Sequence, residues 1–221
     1  VSWTSIATGM NPGSHGMFDF VHRNPANYSL QVSLLPTQKN LLGLQFVPPY
    51  NAQTIFDKTV EDGYPATSMW WPATFPAKLA SPVQTIPGLG TPDILGRLGV
   101  GTHFSIEDLP SDPERKTAAR KLAKKGALKY TGTLEGPEKK NGTVNIDFEL
   151  DINDNTATLQ VAKQRVNLKV GEWGEIVELP FSVGFGMTVK AISRAILTNL
   201  NPVSIYFLPL QLHPLGSPWP Y

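Results

Sequence analysis

From Leu128 onward the chain is written in period two. The runs KYTGTLEG, TVNIDFELDI, TATLQVAK, RVNLKVGEWGEIVELPFSV, MTVKAIS and SIYFLPLQL are alternating or β-branched, and Gly, Asn, Asp or Pro separates them. Successive side chains of a strand point to opposite faces. Ile146, Phe148, Leu150 and Ile152 therefore share one face, with Asn145, Asp147, Glu149 and Asp151 on the other. One buried and one wet face is the expectation, and Asn153-Asp154-Asn155 predicts a hairpin turn into Thr156–Val161. This half of the chain reads as an antiparallel β region. Its acidic face does not make a calcium loop: starting at Asp151, that motif needs Gly at its sixth position and Glu at its twelfth, where the chain has Thr156 and Ala162.

The first half has a different texture. With 20 Pro and 19 Gly in the chain, its elements are short. Ser2, Thr4, Ser5 and Thr8 crowd hydroxyls into a helix that Gly9 ends, since Gly takes the left-handed closing geometry at no steric cost. Asn11 to Gly16 reads as a loop, followed by Met17–Val21 as a buried strand or strand-like segment. Asn40–Pro48 is a buried strand or a turn-flanked apolar segment. Asn51–Gly63 reads as a helix capped by Asn51 and stopped by Gly63, with Ile55, Phe56 and Val60 on its apolar side. Tyr64–Trp71 and Val83–Ile86 read as strands, and this helix–strand rhythm is that of an α/β core. A third helix is expected over Asp112–Gly126, with Asp112 as cap, Pro113 at the first helical position and Gly126 as stop. Its lysines and arginines spread around the wheel with no interleaved aromatic, so a solvated helix is favoured over a nucleic-acid contact.

Several function classes are disfavoured by composition. Net charge is +1, from 19 basic and 18 acidic residues, which supplies no global field for a nucleic acid polymer or an anionic membrane. There is no cysteine, hence no disulfide framework and no thiolate metal site. No apolar run reaches membrane-spanning length. The histidines are His15, His22, His103 and His213, none paired at metal-ligand spacing. Gly88 and Gly90 lack the third glycine of a dinucleotide fingerprint, and no Gly-Lys-Ser/Thr follows them.

The opening segment, SWTSIATGMNPGSHGMFDFVHRNPANY, resembles the stretch after the nucleophile in the alkaline phosphatase superfamily. It is most similar to the type I phosphodiesterase or nucleotide pyrophosphatase branch, including its phosphohydrolase/phosphomutase group. The matching positions are Ser2-Trp3, Thr8-Gly9, Asn11-Pro12-Gly13, His15-Gly16 and Phe18-Asp19-Phe20. WWPATFPA, GLGTPDILGRLG, the Leu168–Trp173 segment and Ser204–Pro209 resemble further segments of that branch, in the same order. After Trp173, the Ser-Asp typical of the branch is Gly174-Glu175 here.

The resemblance implies metal-dependent hydrolysis of a small-molecule phosphate ester or diester. Two divalent cations, zinc or manganese, would clamp the phosphoryl oxygens while a Thr or Ser attacks to give a phospho-enzyme. It also implies that the nucleophile falls just before Val1 and that the metal ligands lie outside this sequence. An internal fragment of the full-length enzyme, inactive by itself and binding no metal, is the expectation. Ser2 and Trp3, at the remainder of the nucleophile's helix, would sit near the phosphate, with ordinary helix packing an equal alternative. Asn11, His15 and Arg23 are further substrate-proximal candidates, the favoured role of His15 being a loop hydrogen bond. Thr91 and Asp93 are candidates for the cleft, a structural turn being favoured. The implied fold is α/β: a partial alkaline-phosphatase-like core over residues 1–110, a β-rich antiparallel insertion with a leading helix over 111–213 that caps the cleft, and a return to the core over 214–221. A sulfatase or phosphonate hydrolase of the same superfamily, or a non-enzymatic β-rich binding module, are the alternatives. Oligomeric state is left open.

Overall fold

The computed structural model describes residues 1–40, 43–77, 81–89, 91–109, 117–139, 142–184 and 186–213. They form two compact units that part between Thr91 and Pro92. The expected return over 214–221 and the start of the expected helix, 112–116, lie outside the described residues.

The first unit contains α1 (Ser2–Thr8), α2 (Pro12–His15), β1 (Val21–Arg23), β2 (Leu30–Val32), β3 (Thr37–Asn40), β4 (Gly43–Phe46), α3 (Ile55–Glu61), β5 (Thr67–Trp71) and β6 (Gln84–Pro87). α1 ends as expected, with Gly9 at φ 66 and its N–H on the Ser5 carbonyl. Residues 12–15, expected as loop, instead close one helical turn. Asn11 accepts the Ser14 N–H, and Pro12 sits where a missing N–H costs nothing. α3 starts three residues later than expected, because Thr54 and Asp57 form a reciprocal capping box. Met17–Val21 is not one buried strand: β1 begins at Val21, and Phe18, Phe20 and Val21 are 54%, 62% and 52% exposed. β1 pairs antiparallel with β2, and β3 with β4. β5 and β6 pair in parallel, and their cross-strand neighbours Met69 and Ile86 are both exposed.

The second unit is built of strands: β7 (Gly101–Ser105), β8 (Thr117–Lys121), β9 (Ala123–Lys124), β10 (Lys129–Lys139), β11 (Gly142–Asn153), β12 (Thr156–Val161), β13 (Gln164–Lys169), β14 (Val177–Gly184), β15 (Met187–Ser193), β16 (Ala195–Leu200), β17 (Val203–Phe207) and β18 (Gln211–Leu212). They form sheets in the orders β13-β12-β11-β10-β9, β14-β15-β18 and β16-β17-β7-β8. The five-stranded sheet is antiparallel throughout, and the Asn153–Asn155 turn joins β11 to β12 as expected. Phe148, Leu150 and Ile152 are buried on one face while Asn145 and Asp147 are exposed on the other. The core centres on Phe148, whose ring meets Phe104 at 4.9 Å and Phe207 at 5.0 Å. Burial of each such side chain contributes about 1.5–3 kcal/mol.

The helix expected to run to Gly126 is corrected. Residues 117–121 are β8, which pairs in parallel with β7 (His103 opposite Ala119), and residues 123–124 are β9, paired with β10. Leu122, between the two strands, is 4% exposed and belongs to the core. Its cations meet carboxylates of other segments: Arg120 with Glu135 at 2.9 Å, Lys121 with Asp108 at 2.9 Å, and Lys125 with Glu149. Strands therefore dominate the second unit, while the first mixes short strands with three short helices. Parallel pairing, the mark of the expected α/β core, is found among the described residues between β5 and β6, between β7 and β8, and at the single bridge Val170–Leu197. No helix among the described residues is long and apolar enough to cross a membrane.

Candidate functional site

The hydroxyl-rich opening folds into a small platform of α1 and α2. Ser2 and Trp3 lie exposed on the first turn of α1, and Trp3 is fixed from one side. Its ring meets Trp71 edge to face at 5.1 Å, and Trp71 Nε1–H donates to the Trp3 carbonyl at 3.3 Å. Trp71 in turn packs on Phe56 of α3 at 5.4 Å. From the other side, Thr4 Oγ1–H donates to Met17 Sδ at 3.2 Å. α1 is thus held against α2, α3 and β5 while Ser2 and half of Trp3 face outward.

His15 is 6% exposed and is the hinge-pin of this platform. Its Nδ1 accepts the Met17 N–H at 3.1 Å, which places the proton of the neutral ring on Nε2. That Nε2–H then donates to Ser5 Oγ at 2.9 Å. Burial holds the imidazole below its ordinary pKa, so the neutral form is the resident one. A base for Ser5 would need an unprotonated Nε2. In the Ser5–His15 pair the histidine is therefore the donor, and the bond ties α1 to α2. Asn11 serves the same end one step earlier, capping the turn that carries His15.

Arg23 lies on β1, where its Nη1 donates to the Tyr28 carbonyl at 3.1 Å. Thr91 donates to the Gly88 carbonyl at 2.7 Å and closes a turn. Asp93 belongs to the second unit. Its side chain is fully buried, with Oδ1 accepting the N–H groups of Leu95 and Arg97 at 2.9 and 2.8 Å and Oδ2 accepting Arg97 Nε–H at 2.9 Å. So Ser2 and Trp3 lie on α1, and Asn11 and His15 at the cap and end of α2, the two helices being joined by Ser5–His15, whereas Arg23, Thr91 and Asp93 make local contacts elsewhere. The sequence did not single out Ser5 or Trp71 as their partners. Trp71 had a signal in the Trp70-Trp71 pair, but the approach of Trp3 to Trp71 spans 68 residues and no local pattern encodes it.

A separate cleft in the first unit, of about 60 Å³, is lined by Tyr50, Thr54, Asp57, Ser68 and Thr74 among others. Burial, and then the Asp57 charge, raise the Tyr50 phenol above its ordinary range and keep it protonated. Ser68 is 2% exposed and its hydroxyl has no hydrogen-bond partner among the described residues. The cleft is far below the roughly 300 Å³ at which ligand pockets begin, and none of Ser2, Trp3, Asn11, His15 or Arg23 lines it. Among the described residues no three of His, Cys, Asp and Glu come together to hold a metal ion. These residues do not fit a two-metal centre.

Comparison with known families decides what the platform belongs to. A family model described as type I phosphodiesterase / nucleotide pyrophosphatase matches residues 1–166, which is well over half of the chain and includes the whole of α1 and α2. The chain belongs to that family. As a phosphodiesterase-family protein it sits among hydrolases of phosphoric esters, consistent with the alkaline phosphatase superfamily. No curated protein and no solved structure matches it significantly.

Proposed function

We propose that this protein is a phosphodiesterase or nucleotide pyrophosphatase that works through a Thr or Ser phospho-enzyme, with its nucleophile and two divalent cations held by residues outside these 221. In that reading residues 1–110 belong to an alkaline-phosphatase-like core and residues 111–213 are its β-rich insertion. The observation that carries it is the family match over residues 1–166, which spans the exposed Ser2 and Trp3 on α1. Bound metals would neutralise the negative charge that a phosphoryl group develops, and the described residues hold no cluster of three ligands for them. What this chain contributes is placement. His15 and Trp71 hold α1 still, so the Ser2 hydroxyl can donate to a phosphoryl oxygen and Trp3 can cover the leaving group without reorganising.

The test is turnover of bis(p-nitrophenyl) phosphate by the full-length protein with added zinc or manganese, against p-nitrophenyl sulfate and an aryl phosphonate. Diester turnover that falls about tenfold in kcat/KM in Ser2→Ala, the size of one lost hydrogen bond to a charged group, is the expected result. Turnover of the sulfate or phosphonate instead would move the protein to another branch of the superfamily. Activity in the 221 residues alone would refute the placement of the nucleophile outside them.

A further inference from the structure

The second unit presents a half-exposed tryptophan, Trp173, in the loop after β13. β13 ends at Lys169, and the chain then turns through Gly171, whose φ of 79 lies in the left-handed region. The following loop is clamped to β16 by main-chain contacts on both sides of Trp173. The Gly171 N–H donates to the Leu197 carbonyl at 2.9 Å and the Gly174 N–H to the Ala195 carbonyl at 2.8 Å. Arg194 closes the other side, donating from Nε to the Gly174 carbonyl at 2.8 Å and from Nη2 to the Trp173 carbonyl at 3.3 Å. Gly174 itself must be glycine, because a Cβ there would lie 2.4 Å from Leu168 Cδ2. The main chain that carries the indole is thus held in place, the ring meets Tyr206 edge-on at 6.2 Å, and it remains 43% exposed. An exposed indole on a fixed main chain is an anchor that loses little conformational entropy on binding.

Beside it lies an open cleft of about 400 Å³, within the range of small-molecule sites. Its polar lining comes from one face of β12 and β13, where Thr156 stands opposite Lys169 and Thr158 opposite Asn167. Asn153 adds a second amide at the hairpin end. Thr158 Oγ1–H donates to Asn167 Oδ1 at 3.3 Å, which turns the Asn167 NH₂ away from that contact. Lys169 and Glu172 pair at 3.6 Å and cancel each other's charge. A flat apolar ring, two amides, two hydroxyls and no net charge do not suit a phosphate. They suit a neutral hydroxylated ring whose C–H face lies on the indole while its hydroxyls alternately donate to and accept from amide groups.

We propose that the Trp173 cleft is a saccharide-binding site, separate from phosphoester hydrolysis. The test is a titration of the full-length protein, followed by amide NMR shifts, with glucose, N-acetylglucosamine, cellotriose, maltotriose and chitotriose, and with adenosine as the rival ring. The expected result is saturable binding of at least one of the saccharides at or below about 10 mM, with shifts centred on Asn153, Asn167 and Trp173. Trp173→Ala should weaken it about tenfold or more and Asn167→Ala by a smaller factor, while the dispersed amide spectrum of the folded protein and diester turnover are kept. The proposal is overturned by the absence of saturable shifts with every saccharide at that concentration, by adenosine binding in their place, or by binding that survives Trp173→Ala unchanged.

Discussion

Ser5 Oγ and His15 Nε2 lie 2.9 Å apart, and the Met17 N–H on Nδ1 makes the histidine the donor in that pair. A contact that resembles half of a catalytic dyad is thereby a strut between α1 and α2. Replacing His15 with Ala removes the acceptor of a main-chain N–H in a buried site, which costs about 1–3 kcal/mol. The expected outcome is a lower urea midpoint for His15→Ala, with Ser5→Ala milder because its loss leaves Nε2–H nearer to solvent.

The same histidine gives stability a pH dependence, and His103 adds to it. Burial lowers both pKa values from 6.5. The unfolded chain then binds protons that the folded chain refuses, so stability rises with pH between the folded and unfolded values. The contribution is full above 6.5, falls as pH drops through that value, and levels off below the folded pKa. Urea midpoints measured from about pH 8 down to pH 5.5, above the carboxylate range, should show this fall. The double variant His15→Gln, His103→Gln should flatten it; an unchanged slope in the double variant would exclude these two groups as its source.

α3 depends on its capping box. Thr54 Oγ1 accepts the Asp57 N–H at 3.3 Å while Asp57 Oδ2 accepts the Thr54 N–H at 2.8 Å. Thr54→Ala should cost about 1 kcal/mol and Thr54→Ser much less. Amide exchange at Lys58 and Val60 is the sensitive measurement, since fraying of a single short helix reaches those N–H groups first.

Asp93 separates a structural role from a substrate role. Its carboxylate is fully buried and both oxygens are engaged within residues 93–97. Asp93→Ala should lower stability by about 2–3 kcal/mol, the scale of hydrogen bonds to a charged group, with Arg97 spared a worse fate by its partial exposure. Asp93→Asn should lower the melting temperature and, in the proposed diester assay, leave KM unchanged at temperatures where the protein is folded. A raised KM without destabilisation would assign Asp93 to substrate instead.

Phe148 tests the centre of the second unit. It is 1% exposed and meets the rings of Phe104 and Phe207. Phe148→Ala should cost about 3–5 kcal/mol, and Phe148→Leu substantially less. Differential scanning calorimetry is the direct check.

Local signals in the sequence determined what local physics decides. The Asn153–Asn155 turn, the two faces of β11 and the Gly9 stop of α1 follow from period-two patterning, turn chemistry and positive φ, all of which act within a few residues. The opening motifs likewise carried the family, through side chains that lie close in the chain. Tertiary structure decided the rest. A strong set of helix signals over 112–126 yielded to β8 and β9, because pairing with β7 and β10 and burial of Leu122 outweigh a few tenths of a kcal/mol per residue of helix propensity. Trp3 met Trp71, and Trp173 was pinned against β16, through contacts between distant residues. Such contacts form only when whole elements pack, so no window of the chain contains them.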